Sequence, residues 1–313
     1  MDGIQPSVLH SITSLENIHN ILGSLVTRYH QEEVLTAVRQ IPARDAKFRP
    51  LPEWVTSALA EAYRNKGIRE LYSHQAATAE LVRAGKNVVV VTPTASGKTL
   101  CYNLPVLNAV LENTDTRALY LFPTKALAQD QLSELQELAR CLDDGFGVYT
   151  YDGDTPGDAR KAIRERGHIV LTNPDMLHSG VLPHHTKWMR LFENLRYIVI
   201  DELHTYRGVF GSHLANVLRR LKRVANFYGS DPQFICSSAT IANPGQLASQ
   251  LIEKEVEVVE ENGAPAGEKL FVFYNPPMVN RNLGIRRSYI NEATRVAKEI
   301  LSGKMQTIVF ANS

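Results

Sequence analysis

Cysteine is scarce in this 313-residue chain. Cys101, Cys141 and Cys236 lie far apart with no C-x-x-C pair, so the sequence writes neither a disulfide framework nor a zinc site within the chain. Three reduced, mostly packed thiols are expected. Long apolar runs are also missing. No window approaches the roughly 18 to 20 consecutive apolar residues of a membrane helix. The first thirty residues carry His, Glu and Asn where a secretory leader needs a basic start and an apolar middle. The expectation is therefore a cytoplasmic chain with no membrane partner. A dominant charge is lacking as well, because 34 basic and 33 acidic residues leave a net charge of +1. The sum argues neither for nor against a polyanionic partner, and the distribution has to decide.

Two basic clusters stand out in that distribution. Arg160, Lys161, Arg164 and Arg166 fall on one expected helix, and Arg219, Arg220, Lys222 and Arg223 on another. Each alone reads as a solvated helix face and gains meaning only if other motifs bring a polyanion close. What the chain does have is apolar mass: 44% of it is hydrophobic, enough for a large core.

The most informative segment is residues 87–99, NVVVVTPTASGKT, an apolar β-branched run that breaks into Gly97-Lys98-Thr99 and then into the helical pattern LCYNLPVLNAVLEN. A buried strand, a turn and a helix start make a phosphate-binding loop. Backbone amides across Thr94, Ala95, Ser96 and Gly97 face an anion, and Lys98 places a point charge at the β- and γ-phosphates. Thr99 offers a hydroxyl to Mg²⁺. The fingerprint G-x-x-x-x-G-K-[ST] asks for glycine at position 92, where this chain has threonine.

Further apolar runs follow at 117–122, 147–151, 168–172, 197–202, 233–238 and 255–260, separated by amphipathic stretches. This alternation implies an α/β fold with a mostly parallel sheet covered on both faces, whose ligands bind at the carboxyl ends of the strands. Asp201 and Glu202 close the run YIVIDE, a costly place for two carboxylates unless something uses them. Asp201 is suited to hold Mg²⁺, and Glu202, pointing elsewhere because strand side chains alternate, to orient and deprotonate an attacking water. His204 follows two residues later and reads as structural when taken alone.

Residues 1–65 read as a helical accessory segment, 66–260 as the core domain, 261–285 as a Pro- and Gly-punctuated linker, and 286–313 as a helix and strand opening a second unit. A domain does not normally end on its first strand, so the chain is expected to be a piece of a longer protein.

The order TPTASGKT (92–99), FPTKALAQDQ (122–131), TNPDMLH (172–178), DELH (201–204), SSAT (237–240) and TIVFANS (307–313) resembles motifs I, Ia, Ib, II, III and IV of the superfamily 2 DExH-box helicases. IDELHTYRGVFGSH and TASGKTLCYNLPVL resemble more narrowly the DNA-repair helicases of the mitomycin repair factor A type, a RecQ-like branch. The resemblance implies a RecA-like ATP-binding lobe, an ATP-hydrolysing enzyme with ATP and Mg²⁺ as cofactors, and single-stranded or forked DNA as partner. It implies 3′-to-5′ movement in DNA repair, and a nucleoid association if the source is bacterial. A DExH RNA helicase and a nucleotide-gated adaptor protein are the alternatives.

Gln75 matches the family's adenine-reading glutamine, whose amide can donate to and accept from a base edge together. His204 joins Lys98, Asp201 and Glu202 in the hydrolytic site, and Ser238 and Thr240 match the motif that couples ATP state to strand binding. Pro123, Thr124 and Lys125, with Thr172, Asn173 and Pro174, would hold the strand backbone, joined by Gly153 and by Arg207. The second lobe, with its arginine fingers, and a four-cysteine C-terminal region are expected outside this chain. Such fingers contribute roughly 10³ to 10⁵ in rate, about 4 to 7 kcal/mol, so residues 1–313 alone should hydrolyse slowly.

Overall fold

In the strand β4 (Val88–Val91) all four valines are buried, Val88 and Val90 in one apolar cluster and Val89 and Val91 in another. A strand with no polar face has to lie inside a sheet covered on both sides. The structure, a computed structural model, describes residues 19–21, 23, 34–142 and 146–310. It places β4 inside a seven-stranded parallel sheet of order β10-β4-β9-β8-β5-β7-β6. The other members are β5 (Arg117–Leu121), β6 (Gly147–Thr150), β7 (Gly167–Thr172), β8 (Leu195–Ile200), β9 (Gln233–Ser238) and β10 (Glu257–Val259). The expected RecA-like doubly covered sheet is the one observed.

Helices Ser57–Asn65, Ser73–Arg83, Lys98–Glu112 and Lys125–Cys141 cover one face. Helices Gly157–Arg166, Gly208–Phe227 and Pro244–Ile252 cover the other, together with a helical stretch of mixed pitch over 174–193. Register then sets the site. Val91 pairs with Ser238, and Leu121 pairs with both Ile200 and Thr172. The loops after these strands therefore leave the sheet side by side along its carboxyl edge.

Several expectations are corrected. β8 ends at Ile200, so Asp201 and Glu202 follow the strand instead of closing it. The segment 255–260 shrinks to Glu257–Val259. Residues 35–41, expected to be helical, form the strand β1 (Leu35–Ile41), antiparallel to β11 (Lys269–Tyr274), with Val38 opposite Val272. The expected linker thus holds β11 and β12 (Met278–Asn280), and β12 pairs with β13 (Ile285–Arg286). The compact unit that holds the sheet spans Asp45–Ala266. β2 (Phe48–Pro50) pairs with β3 (Glu70–Tyr72), and the Lys47 amide donates to the Gly263 carbonyl at 2.8 Å, which ties both flanks to the sheet domain.

Residues 289–302 form the expected helix, whereas 305–310 form no strand: a strand needs a neighbour's hydrogen bonds, and this segment pairs with no described one. Residues 1–18, 22 and 24–33 of the accessory segment, and 311–313, lie outside the described residues. Cys101 and Cys236 are buried free thiols, while Cys141 is exposed. No helix among the described residues is long and apolar enough to cross a membrane.

One half-buried base makes the sheet domain acid-sensitive. His168 Nδ1 accepts the Gly147 amide at 2.9 Å, and burial, aided by the nearby Arg117 guanidinium, lowers its pKa from 6.5 to about 4. The unfolded chain binds this proton first, so stability is full above pH about 6.5 and falls as the pH drops toward 4. Solvent screening at this half-buried ring brings the loss down to on the order of 2 kcal/mol. Denaturant midpoints across that range should show it in the wild type and not in His168→Gln, and equal slopes would refute it.

Candidate nucleotide and nucleic-acid site

Between Thr92 and Thr99 the chain must turn from strand to helix, and two residues take left-handed backbone to do so: Ala95 (φ +61°) and Gly97 (φ +77°). Position 92 is not one of them, so the glycine of the general fingerprint is not required there. Thr92 instead uses its side chain. Its buried hydroxyl lies 2.6 Å from that of Ser96, which closes the loop on itself. Lys98 Nζ donates to the carbonyls of Thr92 (2.9 Å) and Pro93 (3.0 Å), holding an ammonium at the loop's mouth. Helix Lys98–Glu112 starts here, and the first amides of a helix lack intrahelical acceptors. Thr94 and Ala95 are exposed and Thr99 is half-buried.

Gln75 reaches this loop from helix Ser73–Arg83. Its Oε1 accepts the Tyr72 amide at 2.8 Å, and its Nε2 donates to the Gly97 carbonyl at 2.9 Å. The glutamine therefore braces the turn as well as facing it. One amide hydrogen and one lone pair remain for a base edge.

Asp201 and Glu202 diverge by a different device from strand alternation. Glu202 sits in the left-handed region (φ +52°), and its amide donates to Asp201 Oδ1 at 2.9 Å. The turn then opens a short 3-10 helix, Leu203–Thr205. Asp201 is held at its own amide by the Leu121 carbonyl (3.0 Å) and at its carboxylate by the Ser237 hydroxyl. The Tyr102 hydroxyl lies 3.5 Å from its other oxygen and 3.4 Å from Gln131 Oε1. Burial raises the Asp201 pKa, while the Ser237 hydroxyl and the Glu202 amide pull it back. A carboxylate kept in so confined a place gains most from a cation.

His204 joins the carboxylates to the next strand. Its Nδ1 lies 3.2 Å from Glu202 Oε2 and also accepts the Ala239 amide at 3.2 Å. One nitrogen cannot accept from the amide and donate to the carboxylate at once, so the tautomer of His204 links the state of Glu202 to the Ser237–Thr240 turn. Of the two hydroxyls expected to couple, Ser238 is buried and donates to the Ala239 carbonyl at 2.8 Å, and Thr240 is exposed. Sequence reasoning missed Ser237, which makes the contact, and Tyr102. Only the register of β9 decides which of two adjacent serines faces Asp201.

Farther along the same edge, Thr124 accepts the Leu127 amide at 3.4 Å and Asn173 the Met176 amide at 2.8 Å, so each caps a helix that starts at a strand end. Thr172 is buried and donates to the Tyr151 carbonyl at 2.6 Å, and Pro174 is buried as the first residue of its helical turn. Pro123 lies beside Thr124, half-buried. Lys125 Nζ pairs with Asp154 Oδ2 at 2.6 Å, which draws the Gly153 loop against it. Arg160 braces that loop by donating to the carbonyls of Thr155 (2.9 Å) and Asp152 (3.2 Å). Arg207 is exposed and precedes helix Gly208–Phe227.

Residues 72–247 match the DEAD/DEAH box helicase family. The chain belongs to that family. Among helicases it is 58% identical over 292 residues to the uncharacterized ATP-dependent helicase YprA of Bacillus subtilis, covering 93% of this chain and 39% of YprA. It is 38% identical over 280 residues to the ATP-dependent helicase HRQ1 of Saccharomyces cerevisiae, covering 86% of this chain and 25% of HRQ1. A crystal structure of the DUF1998 helicase MrfA bound to DNA and AMPPNP superposes with a TM-score of 0.88 at 57% identity, covering 93% of this chain and 40% of MrfA. The chain thus spans well under half the length of these helicases.

Proposed function

We propose that residues 45–266 are the first RecA-like lobe of an ATP-dependent DNA helicase or translocase, 3′-to-5′ and serving DNA repair, and that residues from about 267 onward begin a second lobe. The observation that carries this is the single row at the carboxyl edge. The Lys98 loop after β4, the Ser237–Thr240 turn at the end of β9, the Asp201–Glu202 turn after β8, and the capped helix starts at Thr124 after β5 and Asn173 after β7 follow five neighbouring parallel strands in that order, and His204 bridges the turns after β8 and β9. The likeness to MrfA, bound to DNA and AMPPNP in its crystal structure, supports the pairing of nucleotide with DNA.

In this reading the Thr92–Thr99 loop and Lys98 hold the phosphates, and Gln75 faces adenine with its free hydrogen and lone pair. Asp201, with the Thr99 hydroxyl, offers the hard oxygen donors that Mg²⁺ prefers, and the confined Asp201 carboxylate fits that role. Bound Mg²⁺ would neutralise charge developing on the phosphates. Glu202 takes a proton from water, and His204 passes the change in Glu202 to Ala239. Thr124, Lys125, Asn173 and Pro174 hold a strand by its backbone, with Gly153 and Arg207 beside them, while the buried Thr172, its hydroxyl spent on the Tyr151 carbonyl, shapes the loop from beneath. Such contacts position a strand without reading its bases.

Lys125 provides the test. A strand phosphate has to compete with Asp154 for its ammonium. In the complete protein, Lys125→Ala should weaken single-stranded DNA binding and DNA-stimulated ATP hydrolysis about tenfold while leaving unstimulated hydrolysis intact. Asp154→Ala should tighten DNA binding. Unchanged DNA affinity in both variants would refute the strand-end interface. Stronger stimulation by RNA than by DNA of equal length would instead select an RNA helicase.

A further inference from the structure

The cluster Arg219, Arg220, Lys222 and Arg223 is split by its helix. Residues three apart share a helical face. Arg219 Nε and Lys222 Nζ both reach Glu253, at 2.6 and 2.8 Å, and lower its pKa to about 2. Arg220 and Arg223 occupy the adjacent face and meet no carboxylate among the described residues. Arg220 lies 3.5 Å from the His178 carbonyl.

Both line two cavities, of about 450 and 360 Å³, that meet at these arginines. Together they form a groove between helix Gly208–Phe227 and the helical stretch that starts at Pro174. At its upper end are Pro174 and the partly exposed Phe210. At its lower end are His185 and Phe227, the latter 78% exposed, with ring centroids 6.4 Å apart. Asp175 is the one acidic side chain among the described residues lining it. From Phe210 to Phe227 the helix rises about 25 Å, room for a run of nucleotides and not for a single phosphate.

We propose that this groove is an extension of the nucleic-acid path. A single strand leaving the Thr172–Pro174 loop runs down the back of the lobe, with phosphates on Arg220 and Arg223 and bases against Phe210 and Phe227. Basic side chains interleaved with exposed aromatic rings are the combination that holds single strands without sequence preference. Pro174 belongs to both the loop and the groove, which makes the path continuous. The inference rests on the strand-end loops binding DNA, as proposed above.

The test measures affinity of the complete protein for single-stranded DNA of graded length between 50 and 200 mM salt. The wild type should gain affinity and salt dependence with length beyond the point where Arg220→Ala/Arg223→Ala levels off. Two phosphates on a single strand contribute about 1.4 to the slope of log affinity against log salt, so over that range the wild type should lose about sevenfold more affinity on long strands than the variant. Arg220→Lys/Arg223→Lys should restore most of the slope. Lys222→Ala, whose ammonium is held by Glu253 and the Ile252 carbonyl, should leave the length dependence alone. Lys125→Ala should weaken binding at every length, and if it does not, the strand-end reading itself fails. If Lys125→Ala weakens binding but the double variant keeps the wild-type length dependence and slope, the groove is no part of the path.

Discussion

Glu202→Gln in the complete protein should bind nucleotide as tightly as the wild type and hydrolyse it about 10² to 10⁴ times more slowly, the usual range for a lost general base. The geometry separates the two effects. The hydrogen bonds and ion pairs of Glu202 among the described residues go to Asp201, His204 and Thr205, not to the Thr92–Thr99 loop or Lys98. Its amide, fixed on Asp201 Oδ1, is unaltered by a side-chain change, so Asp201 keeps its place. Glutamine retains the size of the side chain and an oxygen or amide toward His204 Nδ1, 3.2 Å away, so the left-handed turn should hold. What disappears is the only property the amide cannot copy, the capacity to take a proton. Steady-state hydrolysis set beside nucleotide titration reads both quantities. A rate within a few-fold of wild type would remove Glu202 from the base role, and a parallel loss of binding would make it a structural residue. An unchanged rate would also revive the reading of the protein as a nucleotide-gated adaptor.

How much of this site the sequence carried differs from residue to residue. The loop at Thr92–Thr99 was legible because a four-valine strand buried on both faces, a Gly-Lys-Thr turn and a helix leave few other arrangements. The threonine at position 92 looked like a defect, and only backbone angles show that the left-handed positions are Ala95 and Gly97. Ser237 was hidden by parity: adjacent serines at a strand end face opposite sides, and sequence alone does not fix which one faces Asp201. The strand Leu35–Ile41 was hidden by distance. Its partner lies more than two hundred residues on, and such strands form through the neighbour they pack against more than through intrinsic preference. The basic cluster at 219–223 reads as one charged face until Glu253 is seen to claim half of it.

Gly97→Ala should be the most damaging small substitution in the loop, and the damage should depend on Gln75. At φ +77° an alanine costs roughly 1 to 2 kcal/mol over glycine. Its Cβ would also stand 2.6 Å from Gln75 Nε2. A glutamine tip would ordinarily swing away, but this one is only 4% exposed and is fixed at Oε1 by the Tyr72 amide and at Nε2 by the Gly97 carbonyl. Moving it forfeits both bonds, about 1 kcal/mol each. The single variant should therefore lose about 3 to 4 kcal/mol of stability and bind ATP at least about tenfold more weakly, because the displaced turn carries the first amides of helix Lys98–Glu112. Gln75→Ala alone should lose about 2 kcal/mol, from the same two bonds. In Gln75→Ala/Gly97→Ala the clash is absent and the bonds are lost only once, leaving the backbone strain as the added cost. The double variant should be about 2 kcal/mol more stable than the sum of the singles implies, the worth of the two bonds counted only once. Denaturant unfolding of the four proteins measures this coupling. Additivity within about 0.5 kcal/mol would mean that Gln75 yields freely and does not brace the loop.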